Sequence, residues 1–252
     1  MRKSALNIAS AEPRDQTLGA TAVPLVELVD VARHFDVSPP WLNRLLEGKG
    51  RALLKAVDGV SLTIASGETL GLVGESGCGK STVARLIVGL YRPTRGEIRY
   101  AGRRIDADGA RHAARREMQM IFQDPYASLN PRWRVSDIVA EPLRAAPAHG
   151  RLAQAAIVER VGALLEQVGL VAADGAKFPH QFSGGQRQRI SIARALAGSP
   201  RFLVCDEPTS ALDVSVQAQV LNLLKETQAR LGLSLVLISH DLAVVSHVST
   251  SV

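Results

Sequence analysis

Gly74-Glu75-Ser76-Gly77-Cys78-Gly79-Lys80-Ser81-Thr82 fits a phosphate-binding pattern: a glycine, four residues of any kind, then Gly-Lys-Ser/Thr. Thr69-Leu70-Gly71-Leu72-Val73 precedes it, a short apolar run suited to a buried strand. Val83 to Leu90 follows and reads as a mostly apolar helix. Strand, glycine loop and helix start are the context the pattern requires. Glycines let the backbone turn its N–H groups inward, and a helix N-terminus adds partial positive charge, so the main chain can hold a phosphate chain. Lys80 supplies a point charge for β- and γ-phosphates and Ser81 a hydroxyl for Mg²⁺. An ordinary glycine-rich turn could carry Lys-Ser by chance, but the flanking strand and helix favour nucleotide binding.

The 252 residues suffice for one α/β domain, or one domain with a smaller lobe. Hydrophobic residues make up 46% and aromatics only 4%, so the core is aliphatic. A net charge of +6 suits nucleic acid, an anionic membrane or a nucleotide site, and does not choose among them. Cys78 and Cys205 lack metal-ligand spacing and read as free thiols of a reducing compartment. No apolar run approaches the ~18 residues that suggest a membrane span. Residues 1–22 show no signal-peptide core and are expected to form a disordered tail.

Val26 to Val31 alternates as a half-buried strand does. Ser38 to Arg51 reads as an excursion in which Trp41, Leu42, Leu45 and Leu46 share a helical face. That face packs on its own domain or meets a membrane or partner. Strands follow at Val57 to Ile64 and Glu97 to Tyr100, and their alternation predicts an antiparallel sheet. Met118 to Phe122 is a short apolar run, and Phe202 to Cys205 and Leu235 to Ile238 are continuous ones. Helical periodicity occupies Val135 to Ala173, the stretch after Phe182, and Val216 to Arg230. Apolar strands alternating with helices predict a parallel sheet covered on both faces, with ligands beyond the strand ends.

Those ends carry the chemistry. Asp206 is placed to hold Mg²⁺ and Glu207 to act as general base toward water, although adjacent carboxylates can be a solvated turn. His240 can hydrogen-bond a γ-phosphate or orient the water. Gln123 offers a neutral amide to Mg²⁺ or water. Ser183-Gly184-Gly185-Gln186 reads both as a capping box and as an anion site at a helix N-terminus, and the two are compatible. A capping box alone does not call for two glycines.

Taken together and in order, these motifs resemble the ATP-binding subunits of ABC transporters. The set comprises Gly74 to Thr82, Phe122-Gln123, Phe182 to Gln186, Asp206-Glu207, Ser210-Ala211-Leu212-Asp213 and Ser239-His240-Asp241. Ile121 to Arg132, Lys177 to Phe182 and Ser210 to Leu221 are similar to the dipeptide/oligopeptide/nickel importer group; a sister importer for glutathione or oligosaccharides is the neighbouring possibility. The resemblance implies an ABC ATPase fold in residues 23–252: a parallel core sheet, an antiparallel β subdomain and a helical subdomain over about residues 130–195.

It further implies that Phe35 stacks on adenine, and that Gly74, Glu75, Ser76, Gly77, Cys78, Gly79, Lys80, Ser81 and Thr82 bind ATP. Mg²⁺ falls to Ser81, Gln123 and Asp206, and catalysis to Glu207, His240 and Gln123. Ser183, Gly184, Gly185 and Gln186 act on the ATP of a second ATP-binding subunit, a paralogue or another copy, and Asp213 is a dimer contact. The remaining implied partners are two membrane-spanning permease subunits and an extracytoplasmic solute-binding protein, at the cytoplasmic face of the bacterial inner membrane. No specific nucleic acid is expected. The competing readings are a soluble ABC ATPase acting on nucleic acid and a non-hydrolysing binding module. The similarity runs to Ser249, and Thr250-Ser251-Val252 departs from it. A sheet short of one or more strands is therefore expected, with an unpaired edge, poor solubility and nucleotide binding that outlasts turnover.

Overall fold

The computed structural model describes residues 23–38, 52–105, 114–145 and 152–252. The expected tail over residues 1–22 and the Trp41 face lie outside them. In chain order the strands are β1 (Val26–Asp36), β2 (Leu53–Ile64), β3 (Thr69–Val73), β4 (Arg95–Tyr100), β5 (Arg103–Arg104), β6 (Met118–Ile121), β7 (Phe202–Asp206) and β8 (Ser234–Ser239). The principal helices are α1 (Lys80–Ile87), α2 (Pro125–Ser128), α3 (Val135–Ala145), α4 (Gln154–Gln167), α5 (Gly184–Ala197), α6 (Val214–Leu231) and α7 (Leu242–Val248). They gather into two compact units, one drawn from residues 1–65 and 74–111, the other from 66–73 and 112–252.

In the first unit β1 pairs antiparallel with β2 and β4, giving the order β2-β1-β4-β5. β1 runs five residues beyond the Val31 expected from alternation, because bulges interrupt the period. Asp30 takes φ 47, and the register with β4 shifts between Val29 and Ala32. The bulge sits where the backbone of Gly96 closes on β1. A Cβ at Gly96 would lie 2.4 Å from the carbonyl oxygen of Val29 and 2.3 Å from that of Asp30. α1 starts at Lys80, inside the phosphate-binding motif and not after it, and buries Val83, Ala84, Leu86 and Ile87.

The second unit holds the parallel sheet, in the order β3-β8-β7-β6. β7 and β8 are buried throughout, as their unbroken apolar runs require. Ile157, Val161, Leu164, Leu165 and Val168, spaced as a helical face, are all buried. The helical reading over Val135 to Ala173 resolves into α3, α4 and a short 3-10 turn at Ala172–Ala176. Of the two edge strands of this sheet, where an unpaired edge is expected, β3 is bridged in part. Leu70 pairs in parallel with Ser251, Gly71 N–H donates to the Ser251 carbonyl at 2.8 Å, and Thr250 N–H donates to the Thr69 carbonyl at 2.8 Å.

α7 lies against β3 so closely that Gly71 has no room for a side chain. Its ideal Cβ would stand 2.1 Å from Cγ1 of the fully buried Val245 and 2.8 Å from Oγ of Ser249. Gly71→Ala is expected to cost about 1–3 kcal/mol of stability through overpacking, read as a lower urea midpoint. Adding Val245→Ala should cost less in that background than in the parent chain. An unchanged midpoint for Gly71→Ala would refute this packing.

Candidate nucleotide and catalytic site

In the first unit the phosphate loop is shaped by its lysine and its glycines. The Lys80 ammonium is buried and donates to the carbonyls of Gly74 and Glu75, each at 2.7 Å, with the Cys78 sulfur 3.8 Å away. The charge is thus held inside the loop it serves. Gly79, the residue that caps α1, takes φ 108, and a Cβ there would meet the carbonyl oxygen of Ala56 at 2.4 Å. Gly77 takes φ 81 with open space around it, so there the backbone conformation alone favours glycine. No acidic side chain occupies the first turn of α1 to offset its partial positive charge. Phe35, at the end of β1, is half-buried. Its ring meets Tyr91 edge-on at 5.5 Å and lies under the Arg33 guanidinium at 4.7 Å.

In the second unit three expected catalytic residues come together. β6, β7 and β8 run parallel and in register, so Gln123, Glu207 and His240 emerge at one end of the sheet. Gln123 Nε2 donates to Glu207 Oε2 at 3.0 Å, and His240 Nδ1 lies 3.4 Å from the same oxygen. The Glu207 side chain is only 12% exposed against 59% for His240. Its backbone takes φ 46, a left-handed conformation that a non-glycine residue adopts only when its surroundings enforce it. Its N–H is tied to the Ile238 carbonyl at 3.0 Å. Asp206, one residue earlier, is buried at the end of β7. A cleft lined by Glu207, Thr209, Ser210, Gln217, Ser239, His240, Asp241 and Val244 opens here.

The capping box is present. Ser183 Oγ accepts from Gln186 N–H at 3.3 Å, and Gln186 Oε1 accepts from Ser183 N–H at 3.0 Å. The glycine pair has a packing cause as well. A Cβ at Gly185 would stand 2.3 Å from Val216 Cγ1 on α6, and one at Gly184 would stand 3.3 Å from Leu212. Asp213 caps α6 through its carbonyl, which accepts from Val216 and Gln217 at 2.9 Å; its carboxylate makes no capping bond.

Sequence reasoning missed the residues that brace these motifs. Gln217 Nε2 donates to the carbonyls of Thr209 and Leu212 at 3.0 and 2.9 Å, fixing the turn after Glu207. Its position four residues after the cap Asp213 was the available signal. Arg187 places its guanidinium 3.9 Å over the Tyr126 ring and donates to Pro179 O at 2.7 Å. Arg194 donates to Ser128 O at 2.5 Å. The Arg187–Tyr126 contact and the Arg194–Ser128 hydrogen bond join α2, which follows Gln123, to the helix that Ser183 caps.

Residues 57–210, more than half the chain, match the family described as ABC transporter. The chain belongs to that family. It is an ATP-binding subunit, and the soluble nucleic-acid reading finds no support. Among its relatives is the oligopeptide transport ATP-binding protein OppF of Salmonella typhimurium, 50% identical over 236 residues, covering 90% of this chain and 67% of that one. Another is the putative oligopeptide transport ATP-binding protein YkfD of Bacillus subtilis, 51% identical over 229 residues, covering 90% and 66%. The chain thus spans about two thirds of the length of these curated relatives. Among solved structures, the dimeric post-hydrolysis state of the ATP-binding cassette MJ0796 bound to ADP and Pi superimposes with a TM-score of 0.75. It is 30% identical and covers 87% of this chain and 89% of that one. The ABC ATPase fold expected from the sequence is therefore the fold observed. Among the described residues no helix of this ATP-binding subunit is long and apolar enough to cross a membrane.

The two thiols of this subunit differ sharply. Cys205 is fully buried in β7, and burial, reinforced by the Asp206 carboxylate, pushes its thiol far above the ordinary range. Cys78 is half-buried in the phosphate loop. A maleimide is expected to modify one thiol per native chain, at Cys78, and a second only after denaturation. Equal native labelling at both positions would contradict the buried strand.

Proposed function

We propose that this chain hydrolyses ATP to power import of peptides or related small solutes through two membrane-spanning permease subunits. The observation that carries the reading is the Gln123–Glu207–His240 cluster, a carboxylate held at a strand end by an amide and an imidazole. The family supplies the ATP, and the oligopeptide transport names of its relatives supply the solute class.

The roles follow from the side chains. Backbone N–H groups of Gly74 to Thr82 and the Lys80 ammonium bind the phosphates, and Phe35 stacks on the base. Among the described residues no cluster of three or more His, Cys, Asp or Glu side chains forms a metal nest. The Ser81 hydroxyl in the first unit, and the Asp206 carboxylate and Gln123 carbonyl in the second, are each oxygen donors of the kind a hard cation such as Mg²⁺ takes alongside phosphate oxygens. That cation would neutralise charge on the phosphates. Gln123 spends its amide N–H on Glu207, which leaves the amide oxygen as the atom it offers a cation. Glu207 accepts the proton of the attacking water as the water oxygen bonds the γ-phosphorus and the bond to the ADP oxygen breaks. His240 steadies that carboxylate and donates toward the phosphate.

Ser183 to Gln186 serve the ATP of a second ATP-binding subunit, this chain or a paralogue, with Asp213 at the contact. The Arg187 guanidinium over the Tyr126 ring and the Arg194 hydrogen bond to Ser128 let a shift at the capped helix reach the segment after Gln123, where a permease would feel it. An extracytoplasmic solute-binding protein delivers the solute, and the ATPase works at the cytoplasmic face of the bacterial inner membrane.

Glu207→Gln tests the assignment. ATP binding should persist while hydrolysis falls by the ~10²–10⁴ typical of losing a general base, and the variant should accumulate as an ATP-bound dimer. Turnover at near the parent rate would sink it.

A further inference from the structure

Four side chains of the first unit, distant in sequence, stack into a continuous rod. Arg85 on α1 lies with its guanidinium 5.8 Å from the Tyr91 ring and donates through Nη1 to the Tyr91 hydroxyl at 3.2 Å. Arg33 lies 5.6 Å from the Tyr91 ring and 4.7 Å from the Phe35 ring, and its Nη1 donates to the Arg92 carbonyl at 2.9 Å. The Arg33 Nε is buried without a hydrogen-bond partner, so the aromatic rings are what the guanidinium faces. Tyr91 meets Phe35 at 5.5 Å with an interplanar angle of 77°. Arg33 thus covers one face of the Phe35 ring, and Tyr91, 5.5 Å from that ring and 5.6 Å from the guanidinium, packs against both.

We infer that Arg33 and Tyr91 are positioning residues for the nucleotide base: they fix the Phe35 ring relative to the phosphate-loop helix and leave its opposite face for adenine. This rests on the reading of Phe35 as the base-stacking residue. The physical case is one of preorganisation. An aromatic ring at a strand end would otherwise rotate about χ1, and the base would have to order it on binding. Guanidinium–aromatic contacts that are partly desolvated hold the ring in advance, and Arg85 ties the rod to the helix that carries the phosphates. The network acts on the base and not on the phosphates.

That distinction sets the test. Binding of ATP and of inorganic tripolyphosphate is measured by titration calorimetry for the parent chain, Arg33→Ala, Tyr91→Leu and Phe35→Ala. Arg33→Ala and Tyr91→Leu should each weaken ATP about three- to tenfold while tripolyphosphate stays within about twofold, as expected for losing a cation–π contact behind the ring. Equal losses for both ligands would make the rod merely structural and overturn the inference. So would a gain in ATP affinity for Arg33→Ala, because the guanidinium would then occupy the face the base needs. Phe35→Ala separates the two levels. If it abolishes the preference for ATP while Arg33→Ala and Tyr91→Leu leave that preference unchanged, the positioning role falls and base stacking stands. If Phe35→Ala also leaves the preference intact, both fall.

Discussion

Because β6, β7 and β8 run parallel and in register, whatever follows each strand emerges at one end of the sheet. The chemistry proposed for this chain depends on that constraint. Gln123, Glu207 and His240 are scattered through the sequence, yet two of them lie within 3.4 Å of one Glu207 oxygen. A parallel sheet buries both faces, which demands the unbroken apolar runs of β7 and β8, and its strand ends are where irregular backbone and charge are tolerated. Glu207 shows the strain this arrangement absorbs. Its left-handed backbone is held by a bond to Ile238 of the neighbouring strand.

The phosphate loop answers to a different constraint, the close approach of main chain to main chain. Gly79 is needed because the Ala56 carbonyl stands where a Cβ would go, and Lys80 is buried because loop carbonyls accept from it. Gly185 serves the capped helix for a related reason, its contact with Val216. At both places one glycine answers to packing and to a functional backbone. Substitution there cannot separate stability from activity, whereas changes at Arg33, Tyr91 or Glu207 can.

Much of this was legible in the sequence because the signals are local. The apolar runs gave β3, β6, β7 and β8 to within a residue or so, and Ser183 with Gln186 gave the capping box. The glycine-lysine-serine string fixed the loop, though α1 begins within it. What escaped was set by distant partners. The bulge that lengthens β1 depends on Gly96, and the second glycine before Gln186 depends on Val216. The aromatic rod needs Arg33 and Tyr91 to meet across 57 intervening positions, and no periodicity announces such a meeting. The bridge from Ser251 to Leu70 was likewise invisible, since a lone serine carries no strand signal.

In the proposed function a strand-end carboxylate drives the movement of a solute across a membrane. The proposed link is the contact of α2, after Gln123, with the helix that Ser183 caps, through Arg187 over Tyr126 and Arg194 bonded to Ser128. The most direct test is ATP hydrolysis by the chain assembled with its permeases and second ATP-binding subunit in nanodiscs, with and without peptide-loaded solute-binding protein. The account predicts hydrolysis that rises when the loaded binding protein is added and returns to the basal rate with unloaded protein. Hydrolysis indifferent to permeases and peptide would contradict it.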